Sequence, residues 1–274
     1  MRTSSANSSR KKSTTNPQKN NTERSHGSSS RGRISVVGIG PGAIDQMTLE
    51  AKQAVETADV VVGYKTYVKL VESIIKLGAE VFSGTMGKEV ERAKVAVAKA
   101  LEGKKVVVIS SGDPGVYGMA GLVLEVADLE KTKIPVAVVP GVTAATAAAA
   151  RLGAPLVTDF VVISLSDLLT PWSLIETRLH AAAKADFVIV FYNPQSVGRT
   201  EPLAQACQIL LQYRKPGTPV GIVRQVGRKG EETLTTTLKD LLSCEVDMAT
   251  TIIVGNSTTR IVSKRMVTPR GYDL

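Results

Sequence analysis

Histidine and cysteine are nearly absent: two of each stand in 274 residues. Cys207 and Cys244 are far apart and share no metal-ligand or redox spacing. His26 lies in a polar N-terminal stretch. His180 falls in a helical pattern and reads as a helix-surface residue. These absences argue against a Cys/His metal site and against a Ser–His–Asp relay, and no metal is expected. No apolar run approaches the ~20 residues that a membrane-spanning helix needs, so no membrane segment is expected. Any catalysis must rest on positioning, backbone dipoles, carboxylates or a reactive bound cofactor.

Acid is scarce at one end of the chain. Arg2, Arg10, Lys11, Lys12, Lys19, Arg24, Arg31 and Arg33 face Glu23 alone, which gives residues 1–33 a net charge of +7 out of the chain's +9. The rest of the chain is only +2, so the basic pI belongs to the tail and not to a folded face. Residues 1–32 are rich in Ser, Asn, Thr, Lys and Arg and are expected to be disordered. They lack the apolar core of a secretory signal, and a cytoplasmic protein is expected. Specific nucleic-acid binding is not expected. A nucleic-acid-binding protein stays as an alternative tied to the basic pI, and deletion of the tail separates the two.

The chain's 43% hydrophobic content supports a sizeable core. Strand-like runs at 33–38, 59–63, 78–82, 105–109 and 134–138 alternate with helix-like runs at 48–57, 66–76, 88–102, 117–127 and 142–151. That order implies a mostly parallel sheet with helices on both faces. Residues 152–159 read as a linker. A second α/β region follows, with strands at 160–165, 186–191, 219–223, 232–237 and 250–254 and helices at 171–184 and 198–213. The run 232–237, rich in Thr, alternates with period two and suggests an antiparallel strand, hence a mixed sheet. Two α/β domains, 33–151 and 160–274, are expected, with the ligand cleft between them.

Three glycine motifs follow strands. Gly38, Gly40 and Ala43 fit the dinucleotide pattern, and Asp59 lies 21 residues after Gly38. Pro41, however, removes an amide from the turn that would bind pyrophosphate. Asp59 also precedes the second strand, where a ribose-binding acid should end it. A nicotinamide-dependent oxidoreductase is therefore only an alternative. Gly40, Pro41 and Gly42 still imply close backbone approach to a ligand. The segment from Ser111 to Gly118 has exposed backbone, one carboxylate and no neighbouring Lys. It suits a cationic small molecule better than a phosphate, and S-adenosylmethionine (SAM) fits. After Val139, Gly141 ends a strand, and Thr143 is placed to cap an alanine-rich helix.

GIGPG at 38–42, MTLEA at 47–51, SGDPGVYG at 111–118 and VPGVTAA at 139–145, in that order, resemble the tetrapyrrole methylase family. The resemblance covers residues 33–274. It implies a two-domain α/β fold, SAM held in the interdomain cleft largely by backbone groups, and a homodimer. Carried over, the SAM contacts are Ser111, Gly112, Asp113, Val116, Thr143 and Ala144, with Tyr192, Val254 and Gly255 from the second domain. SDLLTPW at 166–172, YNPQSVGR at 192–199 and TIIVGNS at 251–257 resemble the precorrin-3B C-17 methyltransferase branch. The chain lacks the Thr-His-Arg run of uroporphyrinogen-III methyltransferases near 155–160.

The resemblance implies methyl transfer to C-17 of precorrin-3B or cobalt-factor III with ring contraction in cobalamin biosynthesis. Another tetrapyrrole C-methylation is the nearest alternative. Ring contraction needs proton movement, and Asp45, Asp113, Asp167 and Tyr117 are the acid/base candidates. The substrate's carboxylates call for cations. Lys65, Lys88, Arg199, Arg224 and Arg228 are the choices, with Gly40, Pro41 and Gly42 beside the substrate. Arg199 is expected in the first turn of a helix starting near Ser196, where its charge opposes the helix dipole and asks for an anionic partner.

Overall fold

The computed structural model describes residues 32–273 apart from Thr132 and Val197. The expectation of disorder for residues 1–31 lies outside the described residues. Gly32, the last residue of that expected tail, is buried.

Buried β-branched runs bounded by glycine or charge build the first sheet. Its strands are β1 (Arg33–Gly38), β2 (Val60–Tyr64), β3 (Glu80–Gly84), β4 (Lys105–Ser110) and β5 (Val136–Val139). They lie in the order β3-β2-β4-β1-β5, and every pairing is parallel. Helices α1 (Leu49–Glu56) and α2 (Lys65–Val71) cover one face, and α3 (Glu89–Leu101) and α4 (Ala120–Leu129) the other. Alternate strand residues divide between the two cores. Val37, Val61 and Val107 pack with α1 and α2, whereas Val36, Val60 and Val106 pack with α3 and α4. The chain leaves β1 toward one face and β4 toward the other. Their adjacent C-terminal ends therefore form a switch point, where open α/β sheets bind ligands. Thr48 caps α1 by accepting the Ala51 N–H at 3.1 Å, and its hydroxyl reaches the Pro140 carbonyl at 3.2 Å.

The second sheet contains β7 (Phe160–Ser164), β8 (Val188–Tyr192), β9 (Pro219–Arg224), β10 (Glu232–Thr237) and β11 (Thr250–Val254), in the order β10-β9-β11-β8-β7. Only β7 and β8 pair in parallel, so the sheet is mixed, and β10 is antiparallel as its alternation predicts. Helices α6 (Trp172–Lys184) and α7 (Glu201–Leu211) cover its outer face. Its inner face is covered by α5 (Ala144–Leu152), whose Ala145, Ala148 and Ala149 pack with Val188, Val190, Val223 and Ile253. The sequence reading assigns this helix to the first half, but its small side chains serve the second core. The stretch read as a linker includes β6 (Gly153–Ala154). It pairs with β13 (Arg265–Val267), which pairs in turn with β12 (Arg260–Val262). Residues Arg31–Leu274 make one compact unit.

Several boundaries differ from the sequence reading. Helix α4 starts at Ala120 and not at residue 117, because Tyr117 adopts a left-handed φ of 52°. Pro171 itself stands at the N-cap of α6, so the helix starts at Trp172 and not at residue 171. Helix α7 starts at Glu201, so Arg199 precedes it and never meets the helix dipole.

Candidate active site

Glycines let the strand-end turns of the first sheet meet. A Cβ on Gly38 would lie 2.6 Å from the Gly112 carbonyl oxygen, and one on Gly141 would overlap that same oxygen. Gly112 has φ +65° and forms a two-bond bridge with Gly40. The Gly40 N–H donates to Gly112 at 3.1 Å, and the Gly112 N–H donates to Gly40 at 2.8 Å. Asp113 completes the cluster: its carboxylate accepts the Gly115 N–H at 2.8 Å and the Gly141 N–H at 3.0 Å. Its oxygens organise two turns while its negative charge stays half-buried at the strand ends.

The second sheet brings two side chains to these turns, Tyr192 and Arg228. Tyr192, the last residue of β8, points its hydroxyl at the start of α5. That oxygen accepts the Ala145 N–H at 2.7 Å and lies 2.5 Å from Thr143 Oγ1. Thr143 stands at the N-cap but makes no capping bond to the helix, so the Tyr192 hydroxyl takes the role expected of it. Burial pushes the Tyr192 phenol up from its ordinary value, and Asp113 and Tyr117 add to this. Together they outweigh the hydrogen bonds to Thr143 and Ala145. Tyr117 leans on the Tyr192 ring at 5.9 Å. Its hydroxyl donates to the Val162 carbonyl and accepts the Ser164 N–H, both at 3.2 Å. Tyr117 thus spans from the β4 turn to the end of β7, and its proton is already held by a carbonyl.

Arg228 follows β9 and crosses to the first sheet. Its Nε donates to the Pro41 carbonyl and one Nη to Ser111 Oγ, each at 2.9 Å. The guanidinium sits 5.8 Å over the Tyr67 ring. The turn has no Lys beside it in sequence, and its cation comes instead from a residue 117 positions away.

Ser111, Gly112, Asp113, Val116, Thr143, Ala144 and Tyr192 therefore gather around one set of turns, with Gly40, Pro41 and Gly42 beside them. Val254 and Gly255 do not join them. β11 runs antiparallel to β8, and Val254 pairs opposite Ile189, at the far end of the strand from Tyr192. The start of β11 reaches the shared edge instead. Thr250 lies opposite Arg224, and Gln225 N–H donates to Ala249 at 3.0 Å. Thr250 and Thr251 are buried there, and the Thr250 hydroxyl donates to Asp247 at 2.7 Å.

Most of the expected cations already have partners. Arg199 donates to the Leu165 carbonyl at 2.7 Å and the Asn193 carbonyl at 3.0 Å, and it lies 4.0 Å from Asp167. It braces two loops, and the unpartnered guanidinium anticipated for substrate is not there. Arg224 meets Glu232 and Glu245 at 2.9 Å and Asp247 at 3.6 Å. Lys88 pairs with Glu91 at 2.6 Å. Lys65 is exposed at the start of α2. Among the acids, Asp167 is exposed near Arg199. Asp45 is exposed on the short turn after Gly42, with no hydrogen-bond partner among the described residues. Asp59 accepts the Lys105 N–H at 3.0 Å at the opposite edge of the first sheet, which removes the ribose-binding acid from the nicotinamide alternative.

These groups fit SAM. The Gly112 turn has no side chain between it and Thr143 or Ala144, and a Cβ there would come within 3.6–3.7 Å of both. One half-buried carboxylate and two aromatic rings favour a cation. Gly40, Pro41, Arg228 and Tyr67 form the neighbouring wall, where the charge is positive.

Known proteins resemble this chain. Residues 33–242 match the sequence pattern of the Tetrapyrrole (Corrin/Porphyrin) Methylases. The chain is 51% identical to the probable cobalt-factor III C(17)-methyltransferase of Salmonella typhimurium, over 88% of this chain and 100% of that protein. It is 49% identical to the cobalt-factor III methyltransferase of Priestia megaterium, over 88% of this chain but only 45% of that longer protein. The crystal structure of the methyltransferase CobJ superposes with a TM-score of 0.81 at 37% identity, covering 87% of this chain and 100% of that one.

Proposed function

Because this chain belongs to the tetrapyrrole methylases, we propose that it methylates C-17 of cobalt-factor III with ring contraction, in cobalamin biosynthesis. The observation that carries the substrate assignment is that both relatives near half identity are named for cobalt-factor III. The cobalt here is part of the substrate and needs no protein ligand. The same family reading carries a homodimer in the cytoplasm. No helix among the described residues is long and apolar enough to cross a membrane.

The methyl donor is SAM, whose sulfonium supplies an electrophilic methyl group. The protein's task is alignment. Gly112, Thr143 and Ala144 leave a gap bounded by backbone, and the Asp113 charge and the Tyr117 and Tyr192 rings make that gap favourable to a cation. Tyr192 holds the start of α5 in place through Ala145. Gly40, Pro41 and Gly42 set the adjoining wall for the macrocycle. Asp45 has no hydrogen-bond partner on either carboxylate oxygen among the described residues and is the group assigned to accept a proton during ring contraction. Tyr117 and Asp113 are assigned to positioning, since their oxygens are occupied.

Incubation with labelled SAM and either cobalt-factor III or its cobalt-free counterpart, followed by mass analysis, tests this reading. Transfer of one methyl group to cobalt-factor III is the expected result. Transfer to the cobalt-free compound alone would overturn the substrate assignment, and transfer to neither would overturn the activity.

A further inference from the structure

Five arginines among the described residues are buried or half-buried: Arg92, Arg199, Arg214, Arg224 and Arg228. Four have an acid within ion-pair distance. Arg92 meets Glu89 at 2.8 Å, Arg199 meets Asp167 at 4.0 Å, Arg214 meets Asp186 at 2.8 Å, and Arg224 meets three acids. Among the described residues, Arg228 has none. Among the described residues its contacts are a carbonyl, a hydroxyl and an aromatic face, and its second Nη makes no hydrogen bond with any of them. Withdrawing a guanidinium from water without an anion is unfavourable, so the arrangement asks for one.

The loop that carries it is held in place before any ligand arrives. The Gly227 N–H donates to Glu231 at 2.6 Å, and Arg151 meets the other Glu231 oxygen at 2.5 Å. The Arg228 N–H closes a turn onto Gln225 at 2.9 Å. Glu231 is thus occupied by Arg151 and by the backbone, and does not neutralise Arg228. The guanidinium is fixed beside Pro41 and Ser111, where the turns after β1 and β4 meet.

We propose that Arg228 is the specificity-determining residue that binds a carboxylate side arm of the macrocycle, an inference that rests on the tetrapyrrole substrate argued above. The free Nη and its neighbour present the planar fork that matches a carboxylate, and the guanidinium rests over the Tyr67 ring. The Asp113 carboxylate is instead held by the Gly115 and Gly141 N–H groups, on the turns after β4 and β5. The two walls therefore sort a cationic donor from an anionic acceptor.

The experiment compares the parent with Arg228→Ala and Arg228→Lys, using cobalt-factor III with and without its side-arm carboxylates amidated. For R228A, KM for cobalt-factor III should rise roughly ten- to a hundredfold, the loss expected for one charge-assisted contact. Affinity for S-adenosylhomocysteine by calorimetry should stay within about twofold of the parent on the same estimate. R228K keeps the charge without the fork and should fall between the two; it also serves if R228A does not fold. Amidation should weaken the parent strongly and R228A little. An unchanged KM, equal losses of substrate and S-adenosylhomocysteine binding, or equal sensitivity to amidation in parent and variants would each overturn the proposal. A parent that methylates no tetrapyrrole would instead overturn the reading on which it rests.

Discussion

The Asp113 carboxylate accepts the Gly141 N–H at 3.0 Å, a bond between residues 28 apart that fixes the turn after β4 against the turn after β5. The same carboxylate accepts the Gly115 N–H at 2.8 Å. Asp113→Ala leaves two amides without an acceptor, at about 1–3 kcal/mol each where water cannot replace it. Asp113→Asn keeps one accepting oxygen and should recover roughly half of that loss on the same scale. Both thermal stability and S-adenosylhomocysteine affinity should fall in D113A. A D113A protein that melts like its parent would remove the structural role argued here.

Two glycines in the same cluster should respond differently. A Cβ on Gly141 would overlap the Gly112 carbonyl oxygen, which is backbone and cannot move aside, so Gly141→Ala should fail to give a cooperatively unfolding protein. At Gly112 a Cβ meets nothing nearer than Thr143 Cα at 3.6 Å. Gly112→Ala should therefore fold, with a loss of about 1–2 kcal/mol from its positive φ. Its methyl group enters the gap beside Thr143 and Ala144, so S-adenosylhomocysteine affinity should drop by more than stability does. Parent-like affinity in G112A would take this turn out of the cofactor wall.

How much of this the sequence discloses depends on whether a feature is local. Buried runs such as 105–109 and the period of 232–237 state their own structure, and glycines after strands mark where the turns crowd together. Direction and partnership are not local. Val254 ends a strand and Gly255 follows it, much as Gly112 follows β4, but antiparallel pairing sends them to the other edge. Helix α5 follows the first sheet in sequence and packs on the second, because an alanine-rich face fits either. Arg199 and Arg228 look alike as loop cations, and only the fold shows that the first is occupied by carbonyls and that the second has no acid partner among the described residues.

Arg199→Ala should behave as a structural change. Its guanidinium braces the Leu165 and Asn193 carbonyls, and each hydrogen bond to a charged group is worth about 1.5–3 kcal/mol. The variant should unfold at markedly lower urea concentration. KM for the tetrapyrrole and affinity for S-adenosylhomocysteine should move together, because both Tyr192 and Asn193 follow from the loop that Arg199 holds. A selective rise in tetrapyrrole KM at parent-like stability would restore the direct substrate contact expected from sequence.

Tyr192 makes the cofactor side of the site sensitive to alkali. Burial raises its phenol, with Asp113 and Tyr117 pushing the same way, above the ordinary value near 10. Below that value the phenol is neutral in both folded and unfolded chains, and stability carries no pH dependence from it. Above it, the unfolded chain releases the proton more readily than the folded one, so stability must fall until the folded phenol also ionises. Tyr192→Phe should start lower at pH 7, by about 1–3 kcal/mol, because Ala145 N–H loses its acceptor. From pH 7 to about 9 the gap between parent and Y192F in urea unfolding should stay constant, and above about 10 it should narrow, since the variant has no phenol to titrate there. A gap that stays constant through that range would show that Tyr192 ionises as freely in the folded protein as in the unfolded chain.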